Sequence, residues 1–324
     1  LSTVFRRIRR RVLTPNVSET ELGTRGFHEK SPEARELIET VGRMFLTGYA
    51  HAVESRSVPE VEARLETLPT FFRGFAYEGA AMGCAMLDAL PLGGGRHVER
   101  LLAGRGGEHV YMAYIGVGWA MARVPRFRWA RLIPPDPLLS WLVLDGYGFH
   151  QAYFHTRRYV HEQFREPRLP WPVGAPLPYA DNVVDQGIGR ALWFVGGTDA
   201  ARVADLIDAF PADRRSDLYS GAGLAATYLG GADEDELRVF ADRSGEYRPQ
   251  VAQGSAFAAE ARVRAGLVVE HTGLATRMFC AADPEGAAAV SRTARPEQPV
   301  SGALPAFEVW RRRIADEFVS LGRS

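Results

Sequence analysis

The densest group of residues able to do chemistry lies at 145–161, which reads DGYGFHQAYFHTRRYVH. Asp145 and His150 within it, and Glu78 further back, are the side chains suited to general acid–base work. His150 and Tyr153 stand three residues apart and share one face of a helix. His150 and His155 are five apart, and His155 and His161 six apart. Neither interval points two imidazoles the same way from one helix, so no metal site is expected. The plain alternative is that these histidines pack in the core or sit on the surface. Other catalytic signatures are absent. The Gly93-Gly94-Gly95-Arg96 run has no lysine and makes no phosphate-binding loop. There is no H-E-x-x-H, G-x-S-x-G or D-D-x-x-D motif. The Gly-x-Gly pairs lack the preceding strand and the third glycine of a dinucleotide fingerprint.

The elements that must carry these residues are helices. Ser31-Pro32-Glu33 is a strong helix start, with a capping hydroxyl, a proline for the first turn and an acid for the dipole. Helical periodicity recurs from there on, and no stretch alternates like a strand. A glycine pattern returns along the chain, with leading glycines at Gly48, Gly79, Gly116, Gly146, Gly187, Gly221 and Gly254, separated by 31, 37, 30, 41, 34 and 33 residues. At an offset of 34 the match extends further: Gly196-Gly197 answer Gly230-Gly231, and Asp199 answers Asp233. This spells helix, Gly-Gly turn, capping Asp, second helix. Glycine inside a helix costs about 1 kcal/mol relative to alanine, which close backbone approach of a neighbouring helix would offset. The expectation is an all-α helical-hairpin repeat array, an α-solenoid or α/α toroid, of about seven units of 30–41 residues.

The residue before each leading glycine is Thr47, Glu78, Ile115, Asp145, Gln186, Ser220 or Gln253, polar in six of seven cases. Stacked helices would align these positions. Such a line either faces a groove and holds a ligand or forms hydrogen bonds between repeats. On the first reading Glu78, Asp145 and His150 are catalytic candidates. Tyr77, Tyr147, Tyr153, His155, Asp185, Gln186, Arg190, Trp193 and Gln253 are ligand-binding candidates.

Of 324 residues, 39 are basic and 39 acidic, so the whole protein has no electrostatic drive toward nucleic acid. Lys30 is its only lysine. Residues 1–30 read as a basic amphipathic segment, with Phe5, Ile8 and Val12 at helical spacing among Arg6, Arg7, Arg9, Arg10 and Arg11. It either docks by its three apolar residues or lies on an anionic membrane surface. Residues 31–324 read as one helical-repeat domain. A loop at 165–182 with five prolines interrupts it, either a lid or a plain connector. A helix from Phe307 to Leu321 is suited to cap the array. Cys84 and Cys280 lie in apolar stretches and read as buried free thiols, in keeping with a cytoplasmic protein. No apolar run is long enough to span a bilayer.

Several runs carry a family resemblance. They are Phe45-Leu46-Thr47-Gly48-Tyr49, Arg73-Gly74-Phe75-Ala76-Tyr77-Glu78-Gly79-Ala80-Ala81-Met82, Gly116-Val117-Gly118-Trp119-Ala120, Asp145-Gly146-Tyr147-Gly148-Phe149-His150 and Asp185-Gln186-Gly187-Ile188-Gly189-Arg190-Ala191-Leu192-Trp193-Phe194. With Gly26-Phe27 they span most of the chain in order. In these the chain resembles the DUF1702 family, which includes the UnbL-type proteins of enediyne biosynthetic clusters. The resemblance implies an accessory role in turning a linear polyene into the enediyne core, beside a polyketide synthase and a membrane electron-transfer protein. It supplies no catalytic residues to carry over and leaves any cofactor unknown. The competing expectation is a non-catalytic scaffold or carrier that bridges those partners, and a homo-oligomer is compatible with both.

Overall fold

In the computed structural model, residues 16–90, 95–167, 169, 171, 177–297 and 304–322 are described, and among them every regular element is helical. The Ser31 hydroxyl accepts the Ala34 amide at 3.2 Å and Pro32 occupies the first turn of the helix it starts. Fifteen α-helices follow the chain: α1 (Leu22–Arg25), α2 (Pro32–Glu54), α3 (Val58–Leu65), α4 (Thr70–Asp88), α5 (His97–Ala103), α6 (Val110–Met121), α7 (Trp141–Phe154), α8 (Leu177–Val195), α9 (Ala200–Asp208), α10 (Ala212–Leu229), α11 (Glu234–Ser244), α12 (Arg248–Arg264), α13 (Glu270–Cys280), α14 (Pro284–Ala294) and α15 (Ala306–Ser320).

The seven helices that carry the leading glycines are α2, α4, α6, α7, α8, α10 and α12, and each packs on the next in chain order. Their glycines make the seams. A side chain at Gly116 would overlap the Glu78 carbonyl, at Gly146 that of Ile115, at Gly187 that of Asp145, at Gly221 that of Gln186, and at Gly254 that of Ser220. In each case the carbonyl belongs to the residue just before the leading glycine of the preceding helix. The second glycines face forward: Gly118 abuts the Val143 carbonyl, Gly148 that of Val184, Gly189 that of Leu218 and Gly223 that of Val251. The stack curves back on itself, bringing α10 and α12 against α4. The Arg262 guanidinium of α12 donates to the Phe71 carbonyl of α4 at 3.0 Å, and Tyr228 of α10 meets the Phe75 ring edge-on at 5.1 Å.

The Gly-Gly turns and capping aspartates are where the sequence places them. Gly197, Gly230 and Gly231 have positive φ, which glycine adopts without strain. The Asp199 carboxylate accepts the Arg202 amide at 3.0 Å to start α9. Asp233 and Glu236 form a reciprocal capping box at 2.9 Å in both directions at the start of α11. Lys30 ties the two turns together: its ammonium donates to the Gly231 carbonyl at 2.6 Å and to Glu236 at 2.8 Å. A compact ammonium suits that site better than a planar guanidinium.

Three features differ from the sequence reading. Among the described residues the second helix of the hairpin is missing twice: a 3₁₀ helix, Arg126–Arg131, stands between α6 and α7, and a π turn, Arg157–His161, follows α7. Residues 177–182, the end of the proline-rich stretch, already belong to α8, because proline is tolerated in a first helical turn. Leu169 and Trp171 from the same stretch are buried, Trp171 against Trp141 at 5.8 Å. The predicted segment 1–30 also divides. Residues 1–15, with the arginine-rich run, lie outside the described residues. From 16 onward the chain is part of the core, for Leu22 and Phe27 are buried and Phe27 meets Tyr153 at 5.0 Å. At the other end, α15 buries Phe307, Trp310, Ile314 and Phe318 on one face. Cys84 and Cys280 are buried free thiols, and burial pushes Cys84 up to about 12. Among the described residues no helix is long and apolar enough to cross a membrane.

Candidate functional site

The curled stack encloses a chamber lined from α2, α4, α6, α7, α8 and α10. Its atom-free space is about 790 Å³ including the open mouth, but only about 60 Å³ admits the centre of a water-sized sphere. It is therefore a narrow slot. Aromatic rings build one wall: Phe45 lies 4.6 Å from Trp119, Trp119 5.1 Å from Phe149, and Phe149 5.1 Å from Phe194. Leu224 and Tyr228 also border a second, smaller apolar cavity that reaches Phe257 and Trp310.

The residues facing the slot follow a rule. Met82, Trp119, Phe149, Arg190 and Leu224 each come three residues after a leading glycine. Arg123, Tyr153, Phe194 and Tyr228 come seven after. These intervals put them on one face of each helix. The line that precedes the glycines behaves differently, since of it only Glu78 lines the slot. Asp145 and Gln186 instead bond to each other at 2.7 Å, as do Ser220 and Gln253 at 2.6 Å, across neighbouring helices. That is inter-helix hydrogen bonding in the manner of other buried polar groups. The chamber face was readable in the sequence as the +3 and +7 positions, once the glycines fixed the phase.

Four of the polar groups in this lining come from different core helices. Glu78 comes from α4, Trp119 from α6, Arg190 from α8 and Tyr228 from α10. Arg190 is buried and paired with the fully buried Asp145 carboxylate, which also accepts from Gln186. Burial alone would lower the Arg190 guanidinium's pKa, but Asp145 and Glu78 hold it raised. Among the described residues the Tyr228 hydroxyl has no hydrogen-bond partner, and it rests against Gly74, where a Cβ would strike it. Arg262 fixes the ring from behind, its guanidinium 4.1 Å from the ring centroid. Glu78 is buried with no ion pair of its own. Desolvation pushes its carboxyl up to about 7, Arg190 opposes the shift, and Asp145 adds to it. A carboxyl poised near neutrality inside an apolar slot can give or take a proton at physiological pH. The adjacent Arg190 can stabilise a negative charge that develops there.

This has a consequence for stability. Glu78 rises from 4.5 unfolded to about 7 folded. Its contribution is fully present below pH 4.5 and is lost as pH rises through 7, because between those values only the unfolded state has released the proton. The loss is about 3 kcal/mol. Buried histidines act the opposite way, since His150 is lowered to about 3 and His271 to about 4, mainly by burial. The difference between wild type and Glu78→Gln isolates the carboxyl. Urea midpoints should show the variant gaining on wild type by about 3 kcal/mol from pH 4.5 to pH 8. A pH-independent difference would contradict the assignment.

The structure brings Glu78, Asp145, Gln186 and Arg190 together and places Tyr153 on the slot's wall. It places the other candidates elsewhere. His150 is buried behind the wall, 5.6 Å from Trp119 and bonded to Gln151 at 3.2 Å. Tyr77 stacks on His109 at 3.8 Å and donates to Glu66 at 2.8 Å. Tyr147 donates to Glu166 at 2.8 Å. Asp185 accepts from Arg214 at 2.5 Å and from Arg165 at 3.1 Å. Trp193 donates to the Gly230 carbonyl at 2.9 Å, and Gln253 accepts from Ser220. His155 lies in an exposed groove next to the slot. Among the described residues no three His, Cys, Asp or Glu side chains are grouped to hold a metal ion. Sequence reasoning missed Trp119, Tyr228 and the aliphatic wall.

Helices sealed by glycine on backbone, wrapped around an apolar slot with one buried carboxyl facing in, define an all-α protein with an internal chamber. The chain belongs to the DUF1702 family: the model described as "Protein of unknown function (DUF1702)" matches residues 4–318. No curated protein and no solved structure matches the chain.

Proposed function

We propose that this protein binds a linear apolar polyene in its chamber and acts on it as an accessory protein of enediyne core biosynthesis. On this reading the hairpins form a curved helical-repeat array that closes around the ligand. The observation that carries it is the slot itself: narrow, aromatic-walled and apolar, with Glu78 near neutrality in its lining. A thin conjugated chain fits a space too narrow for a bulky ligand, and apolar lining supplies its affinity. Glu78 would exchange a proton with the chain, Arg190 would stabilise the resulting charge, and the Tyr228 hydroxyl would donate to it. A second reading, a carrier that holds the polyene between the polyketide synthase and membrane electron-transfer partners, draws support from one observation. Asp145, Gln186 and Arg190 largely satisfy one another, as a structural network does.

One pair of variants separates the readings. Leu224→Trp fills the junction of the two cavities and should abolish binding of a conjugated polyene, followed by the red shift of its absorption bands. Glu78→Gln should still bind the polyene, while enediyne formation in the producing organism falls by about 10²-fold or more. Unchanged product with Glu78→Gln leaves only the carrier. Unchanged binding with Leu224→Trp removes the chamber from both.

A further inference from the structure

At its mouth the slot opens beside a groove, and Tyr153 and Phe154 line both. The groove differs in character: it is lined by Arg25, Arg157, Arg158, His155, Tyr159 and Glu162, among others. Two of these arginines are neutralised, Arg25 by Glu19 at 2.5 Å and Arg157 by Glu162 at 2.9 Å. Among the described residues, two exposed arginines have no carboxylate partner. Arg158 lies over the Phe164 ring, its guanidinium carbon 3.8 Å from the centroid, and Arg123 lines the slot. The mouth thus carries a surplus of two positive charges, with the imidazole of His155 between apolar wall and solvent. At the opposite end, beyond Leu224 and Tyr228, the lining is almost wholly apolar.

We infer that the ligand is an amphiphile: an apolar chain that runs inward past Glu78, with an anionic terminus, carboxylate or phosphate, held at the mouth by Arg123 and Arg158. The inference rests on the chamber reading and names the substrate class. An unpaired guanidinium stacked on an aromatic ring is pre-organised to accept such a group. The arrangement also fixes direction, because the charged end cannot enter the slot without losing its hydration. It sets which part of the chain lies against Glu78.

The test uses the intact protein and the fluorescent tetraene cis-parinaric acid beside its methyl ester. The acid should bind about 10-fold to 100-fold more tightly than the ester, the range expected for charge-assisted hydrogen bonds. In the double variant Arg123→Gln/Arg158→Gln that preference should vanish while the ester still binds. Both side chains are exposed, and retained ester binding certifies the fold. Competition by laurate against dodecyl phosphate assigns the terminus: stronger displacement by either one supports an anionic end and names it. Equal affinity for acid and ester in the wild type, or a preference that survives in the double variant, overturns the inference and leaves the chamber reading standing. Failure of both probes to bind overturns the two together.

Discussion

Gly187→Ala is expected to cost about 3–5 kcal/mol and to leave little folded protein at 37 °C. The added methyl would meet the carbonyl of Asp145 and the amide of Phe149, both backbone of α7. No rotamer can relieve a clash with backbone, so α7 and α8 must separate. Separation also pulls Gln186 and Arg190 away from Asp145, because all lie within one turn of the seam. Against this, alanine gains about 1 kcal/mol of helix propensity, which is too little to change the sign. Gly23→Ala is the matched control. Gly23 is also helical, but nothing lies within 4 Å of a Cβ there. That variant should be neutral or slightly stabilised. Thermal unfolding by circular dichroism reads both, and equal midpoints for the two variants would show that the seams are looser than the structure has them.

Asp145→Ala carries the second large effect, about 3–5 kcal/mol, because it leaves the Arg190 guanidinium buried without its partner. The cost is a charge stranded in a low-dielectric interior rather than the loss of a favourable bond. Asp145→Ala/Arg190→Met should therefore be more stable than Asp145→Ala alone. Glu78 adds a refinement. Asp145 raises the Glu78 pKa, and Arg190 lowers it. With Asp145 gone, Glu78 should ionise more readily and stand in as counter-ion. Asp145→Ala/Glu78→Gln should then lose more than the sum of the single variants at pH 7. Denaturant titration of the set decides the point. Strict additivity would place Glu78 outside the influence of Arg190, and the proposed proton chemistry would lose its charge-stabilising group.

Much of the framework was legible residue by residue. Ser31-Pro32, the Gly-Gly turns and the capping Asp199 and Asp233 are local signals, complete within a few residues of chain. The glycine spacing likewise announced tight helix seams. What misled was the polar line. Glu78, Asp145, Gln186, Ser220 and Gln253 share one position in the pattern, yet only Glu78 faces the chamber. The two irregular hairpins, with a 3₁₀ helix at 126–131 and a π turn at 157–161, were also hidden, because each depends on how α6, α7 and α8 are held by their neighbours.

The sequence by itself determined that this chain is helical, where its turns fall and which residues must be glycine, for those follow from backbone sterics and period. Only the tertiary structure decided which helix face looks inward. A polar side chain beside a seam can point into a cavity or across to the next helix with the same local geometry. The choice is made by the curl of the whole stack. Asp145 finds Gln186 41 residues away and takes Arg190 with it, while Glu78 faces the apolar slot beside Trp119, with no ion pair of its own among the described residues. That difference in surroundings, absent from the residues' own pattern, makes one carboxylate a structural counter-ion and leaves the other poised near neutral pH.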